Sequence, residues 1–287
     1  MISDNQTNKV YLSELLKSDD RYSSTCSELT VLLEYFKIKY EFLKNTNDIW
    51  ARDYMPIQVS ENKFIEYRYD PDYLQGLKLD QRDLKTYPDL VCESINVKTI
   101  KSNIILDGGN VIKSSDCVIV TDKIFAENQI HYKERTELID KLKELLEIDK
   151  IVIIPWDKLE PYGHADGMIR FIDDRTVLIN GYFKDYGKKY KNAFFDSLVQ
   201  NGLKYKELSF NVTNPNEELN WAYINFLHTK DLILVPKFGI EEDEQAFEQI
   251  KNYYPEYNLQ NRICQIDMSE IVKDGGALNC ISWTIKE

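Results

Sequence analysis

Between residues 23 and 36 the apolar positions Cys26, Leu29, Leu32, Leu33 and Phe36 recur at helical spacing, with Ser23, Ser24 or Thr25 available as a cap. A strand at Ile38–Leu43 is predicted next, followed after a polar stretch by strands at Ile57–Val59 and Lys63–Tyr67. The Tyr69–Tyr87 segment is polar and aromatic without period and reads as a loop holding a helical turn. The succession then returns. Strands at Asn103–Leu106, Val111–Lys113 and Cys117–Thr121 precede a helix over His131–Ile148, with Leu138, Leu142, Leu145 and Leu146 on one face. The apolar strand Ile151–Ile154 follows and Pro155 ends it. A third round has strands at Met168–Ile172 and Thr176–Ile179, a helix at Lys189–Gln200 and a strand at Lys204–Leu208. A fourth has strands at Ala222–Phe226 and Leu232–Val235, a helix at Glu241–Tyr253 and a strand at Arg262–Ile266. A short helix from Ser269 and a last strand at Ile281–Ile285 close the chain.

A strand–strand–helix–strand unit thus repeats about every 60 residues without evident sequence identity. No Pro-, Ser- or Gly-rich linker divides the chain. Residues 1–22 read as a lead-in, poorly ordered over the first dozen, and 23–287 as one α+β domain of pseudo-repeats. Repetition about an axis brings the loops between units together at a central cleft.

Composition narrows the partners. The 287 residues include 43% hydrophobic and 12% aromatic side chains, enough for a real core. A formal net charge of −12 argues against nucleic acid or an anionic membrane and suits a small cationic ligand. No signal peptide and no membrane-length apolar run is visible, so a cytoplasmic location is expected. The five cysteines are scattered without a C-x-x-C pair, as in a reduced compartment. His131, His164 and His228 lie at no metal-ligand spacing from another His or Cys, so neither zinc nor any other cofactor is expected.

The chemistry-bearing residues sit in loops. Gly163-His164-Ala165-Asp166-Gly167 puts a base and a carboxylate two apart, which share a face if the following apolar run starts as a strand. Other loops carry Trp50 with Arg52-Asp53, Asp107-Gly108-Gly109-Asn110, and Gly275-Gly276-x-x-x-Cys280. Taken singly, each has a plain structural reading: a loop histidine, a strand-end ion pair, a turn, a buried thiol. Cys92 and Cys264 keep that last reading, and the tryptophans read as core, with Trp50 near enough to Asp53 to wall a pocket. Taken together, several carboxylates around a thiol and an imidazole repel one another unless the ligand is cationic. A guanidinium fits, because carboxylates hold it in fork geometry and its charge favours a thiolate.

Asn47-Asp48-x-Trp50-x-Arg52-Asp53-x-x-Pro56, Asp107-Gly108-Gly109-Asn110, Gly163-His164-x-Asp166-Gly167 and Gly275-Gly276-x-x-x-Cys280 occur in that order. From Asn47 to the C-terminus the chain resembles the agmatine deiminase and bacterial peptidylarginine deiminase family of the guanidino-group-modifying superfamily. The resemblance implies a five-bladed α/β propeller (a pentein) of ββαβ units, with the active site on the axis. It further implies conversion of a guanidine to a ureido group with release of ammonia, no metal, a place in polyamine metabolism, and a homodimer. By motif position Cys280 is the expected nucleophile, His164 the general acid/base and Asp107 its acidic support. Asp53 and Asp166 are expected to grip the guanidinium, with Arg52, Trp50 and Asn110 as further substrate-binding residues. Ala277 and Asn279 depart from the Gly and His that agmatine-directed relatives usually carry there, and Met55 stands where many have Gly. Two other readings compete: amidino transfer from the same residues, and capture of an arginine-like ligand without turnover, for which Cys280 has no purpose.

Overall fold

A computed structural model of the chain describes residues 1–75, 81–158, 160 and 162–287. Fifteen strands form five three-stranded sheets. They are β1 (Lys9–Ser13), β2 (Lys39–Leu43), β3 (Ile57–Ser60), β4 (Lys63–Arg68), β5 (Ile100–Ile105), β6 (Ile112–Lys113), β7 (Cys117–Thr121) and β8 (Lys150–Ile154), followed by β9 (Ile169–Asp173), β10 (Thr176–Asn180), β11 (Lys204–Leu208), β12 (Leu227–His228), β13 (Ile233–Lys237), β14 (Ile263–Asp267) and β15 (Ser282–Ile285). In four sheets an antiparallel pair of consecutive strands is extended by a third, parallel strand: β3-β4-β5, β6-β7-β8, β9-β10-β11 and β12-β13-β14. The fifth has the same pattern but joins the chain's two ends, β15 antiparallel to β1 and β1 parallel to β2.

A parallel step needs a crossover, and each sheet has a helix for it. These are α1 (Ser23–Tyr35), α2 (Pro88–Ser94), α3 (Arg135–Leu146), α4 (Lys188–Gln200) and α5 (Glu242–Tyr253). Helix α3 buries Leu138, Leu142 and Leu146 at i, i+4 and i+8, and Glu147 ends it in the left-handed conformation at φ 52°. Helices α1, α4 and α5 bury Leu29 and Leu33, Phe194 and Leu198, and Ala246 and Ile250 in the same way. Five ββαβ units in a closed ring make the expected propeller.

Two local expectations differ, and one helix lies where the sequence predicted no element. The chain's opening is built in: β1 is buried at all five positions and lies between β15 and β2. Its neighbours are residues 39–43 and 282–285, so nothing nearby in sequence advertises it. The Ala222–Phe226 run contains a 3-10 turn at Trp221–Ile224 instead of a strand, which shortens β12 to two residues. Helix α2 follows the segment read as a loop, starts on Pro88 and buries Val91 and Cys92. The part of that loop at residues 76–80 lies outside the described residues. Among the described residues no helix is long and apolar enough to cross a membrane.

The propeller's interior carries charge. Asp4, in the 3-10 turn Asp4–Gln6, pairs through Oδ2 with Arg170 Nη2 at 2.8 Å and through Oδ1 with Lys113 Nζ at 3.9 Å. The side chains of Arg170 and Lys113 are only 2% and 4% exposed. Burial opposes ionisation of Asp4, yet Arg170, Lys113 and Arg52 overcome it and hold the carboxyl down at about 2.

Candidate active site

Each of the five connections between sheets delivers one loop to the same place. In the first, Asp48 Oδ1 accepts the Trp50 N–H at 2.8 Å, an Asx-type turn that starts the helical turn Ala51–Tyr54 bearing Arg52 and Asp53. In the second, Asp107 precedes a 3-10 turn at Gly108–Asn110, whose Gly109 N–H donates to Asp53 Oδ1 at 3.1 Å. Glycine is required there: a Cβ on Gly108 would lie 1.9 Å from the Arg52 carbonyl oxygen, and one on Gly109 2.7 Å from His164 Nδ1.

The third connection carries His164 and Asp166, and it is not extended. Met168 and Ile169 both donate to the Ala165 carbonyl, at 2.9 and 3.0 Å, so the Ala165–Met168 stretch is a turn and strand alternation does not set the two side chains. His164 goes to Asp107, Nε2 to Oδ2 at 2.9 Å, and lies 3.6 Å by Nδ1 from Asp53 Oδ1. Asp166 goes to the Cys280 loop: Cys280 Sγ is 3.6 Å from its Oδ2, and Asn279 Nδ2 donates to the same oxygen at 2.7 Å. Glu160 fastens the loop by accepting the backbone N–H groups of Tyr162 at 2.8 Å, Gly163, and His164 at 3.1 Å.

The fourth connection had no sequence motif, and it supplies Asn225. Its Oδ1 accepts both Asn279 N–H at 3.0 Å and Cys280 N–H at 3.2 Å, while its Nδ2 donates to the Asp166 carbonyl at 3.4 Å. One amide therefore ties the thiol's backbone to the loop of the carboxylate beside it. The repeat itself is the signal that could have found Asn225, since a fivefold ring demands a fifth loop at that point of the unit. The fifth connection turns through Gly275 at φ 90° and passes Gly276 beneath Trp50, where a Cβ would meet the indole at 2.2 Å. Asn279 has a physical role here: its side-chain amide holds Asp166.

Sequence reading thus brought together Cys280, His164, Asp107, Asp53 and Asp166, with Trp50 at their edge. Arg52 and Asn110 sit differently. Arg52 Nε donates to the Asn279 carbonyl at 3.4 Å, and the Arg52 guanidinium shares the interior with Asp4 and Arg170. Asn110 Oδ1 accepts the Thr121 N–H at 2.8 Å and so anchors β7. Two aromatic residues went unread. Tyr162 has its ring 5.8 Å from the His164 ring, and Tyr73 has its ring 6.3 Å away on the same side.

Electrostatics follow from burial. Cys280, His164, Asp53, Asp107 and Asp166 are all under 8% exposed. Burial, then Asp166 and Asp53, push the Cys280 thiol well above its ordinary range. Burial likewise raises Asp53 despite the nearby imidazole. For His164 burial opposes the charged form, but Asp53, Asp107 and Glu160 outweigh it and raise the imidazolium to about 10. These shifts favour a thiol beside an imidazolium. A cation placed between Asp53 and Asp166 offsets the carboxylates and brings the thiolate within reach. Among the described residues no group of three or more His, Cys, Asp or Glu could hold a metal.

Comparison with known proteins identifies the family and the fold. The family model described as Porphyromonas-type peptidyl-arginine deiminase matches residues 3–285. A relative from Enterococcus faecalis, named "Putative agmatine deiminase", is 25% identical over 282 residues, covering 83% of this chain and 74% of its own. The C. jejuni agmatine deiminase structure superposes with a TM-score of 0.73 at 20% identity, covering 100% of this chain and 95% of that one. DDAH from Pseudomonas aeruginosa shares the fold more distantly, with a TM-score of 0.59 at 13% identity, covering 97% of this chain and 99% of its own.

Proposed function

The chain belongs to the Porphyromonas-type peptidyl-arginine deiminase family, and from that premise we propose that it hydrolyses a small guanidino compound, agmatine or a close analogue, to a ureido product and ammonia. The observation that carries the reading is the meeting of a thiol, an imidazole and three carboxylates from four loops, with Cys280 Sγ 3.6 Å from Asp166 Oδ2 and His164 Nε2 2.9 Å from Asp107 Oδ2.

Asp53 and Asp166 receive the guanidinium N–H groups and orient its central carbon toward Cys280. The bound cation lowers the cost of the thiolate; as the Sγ–H proton leaves to solvent, the sulfur forms a C–S bond to that carbon. As the C–N bond breaks, His164 gives its proton to the departing ammonia. Neutral His164 then takes a proton from water, whose oxygen attacks the same carbon. The C–S bond breaks with its electron pair returning to sulfur, and the oxygen's remaining proton passes to that sulfur, leaving the ureido product and a regenerated thiol and imidazolium. Asp107 keeps the imidazole in register by accepting from Nε2, and Arg52, behind the nucleophile loop, offsets negative charge that develops at sulfur.

Incubation with agmatine, free arginine and a short arginine peptide, each followed for ureido product and ammonia, tests the reading and separates its substrates. Release from agmatine is the expected result. Ligand-dependent thermal stabilisation without ammonia from any of the three would point to a binder, and a new guanidino product on adding an amine acceptor to an amidino transferase.

A pH dependence follows. His164 must enter the first step protonated, and its value of about 10 keeps it so across neutral pH. The high-pH limb of kcat/KM is expected near pH 10. Asp107→Asn removes a charge that favours the imidazolium, so the limb should move to lower pH by roughly one unit or more. A limb that stays in place in this variant would mean that another group sets it.

A further inference from the structure

Tyr73 reaches the acid–base pair from outside the five loops. Its hydroxyl donates to Asp107 Oδ2 at 2.9 Å, and that same oxygen is 2.9 Å from His164 Nε2. Asp107 Oδ1 is buried and accepts no hydrogen bond from the described residues. The carboxylate therefore hangs on two donors at one oxygen, and Tyr73 is one of them.

The residue is held where it is. The 3-10 turn Asp72–Leu74 is anchored by Leu74, 4% exposed in the core that contains Tyr54, Tyr69 and Trp283. Asp72 Oδ1 lies 3.0 Å from Lys123 Nζ, which also donates to the Tyr162 carbonyl at 2.7 Å and stands 5.1 Å from the Tyr73 ring centroid. The Tyr73 ring meets Tyr162 edge-on at 5.1 Å. Burial and Asp107 raise the Tyr73 hydroxyl well above its usual value, so it remains a donor throughout the working range.

We infer that Tyr73 is a positioning residue: by donating to Asp107 it fixes the oxygen on which His164 is held and draws off part of that oxygen's charge. The inference rests on the deiminase reading for its consequence in turnover, though not for its structural content. Removing the hydroxyl leaves His164 as the only hydrogen-bond partner of Asp107 Oδ2 among the described residues, which strengthens the His164 N–H···O bond and the imidazolium with it.

Tyr73→Phe keeps the ring and tests the hydroxyl alone. In substrate-free, ¹⁵N-histidine-labelled protein, with His164→Gln to assign the signal, the His164 Nε2–H resonance should move downfield. Its titration midpoint should rise by roughly half a pH unit. In turnover the high-pH limb of kcat/KM should rise equally, and kcat at neutral pH should fall several-fold with KM little changed. A role confined to packing would leave the resonance and the limb unmoved, and an unmoved or upfield resonance overturns the inference. Because the spectroscopic arm needs no substrate, a protein that fails to deiminate still answers the question about Tyr73. Turnover with an unmoved resonance would defeat only the inference.

Discussion

Cys280→Ala is expected to reduce ammonia release by at least ~10⁴-fold in kcat/KM while leaving ligand binding largely intact. In the proposed mechanism the sulfur forms the covalent bond, and among the described residues of the site no second thiol stands by to replace it. The change should be mild for the fold. The Cys280 N–H remains with Asn225 Oδ1 at 3.2 Å and the Cys280 carbonyl with the Arg52 N–H at 3.0 Å, so the loop keeps its anchors. Loss of one buried sulfur costs about 1 kcal/mol. Binding should hold because Asp53 and Asp166 make the cationic contacts. Calorimetric titration of the variant with the responsive substrate, set beside its assay, checks both halves. Turnover within tenfold of the wild type would remove Cys280 from the mechanism.

The second large effect is on stability. Asp4→Ala leaves Arg170 and Lys113 buried without their carboxylate, at side-chain exposures of 2% and 4%. Breaking such a pair by removing one partner costs about 3–5 kcal/mol, because the remaining charges stay buried. In a domain of this size that is a fall in Tm of roughly 10 °C. The sign against pH follows from the lowered carboxyl. Asp4 contributes its full stability above the unfolded value near 3.8, and loses it as pH falls through about 2. Wild type and variant should therefore differ most at neutral pH and converge in strong acid. Equal melting temperatures at neutral pH would show that the cations do not need Asp4.

These two residues mark what was legible in the chain and what was not. Cys280 stood in an ordered motif, and helices α1 and α3 announced themselves by apolar residues at helical spacing, Leu29 and Leu33 in one and Leu138, Leu142 and Leu146 in the other. Asp4 and β1 gave no such signal. A strand buried at all five positions has no alternation to read, and its partners come from residues 39–43 and 282–285. Helix α2 is seven residues, too short for a period to show. The Ala222–Phe226 run is buried throughout, and burial on every side gives the same apolar pattern to a strand and to a 3-10 turn. In the candidate site the charged residues were legible because they stand in ordered motifs. Asn225 and Tyr73 act through hydrogen bonds to other site residues, and such supporting roles carry no distinctive residue type or spacing.

The covalent bond to Cys280 is the central claim, and it can be weighed. Wild-type enzyme turning over its best guanidino substrate, quenched in acid within the first cycles, digested and examined by mass spectrometry, should show the Cys280 peptide heavier by the substrate less ammonia. Cys280→Ala treated alike should show no adduct. Steady release of ammonia with the Cys280 peptide unmodified at every quench time would contradict the account and leave direct attack of water on the guanidinium carbon as the chemistry of this site.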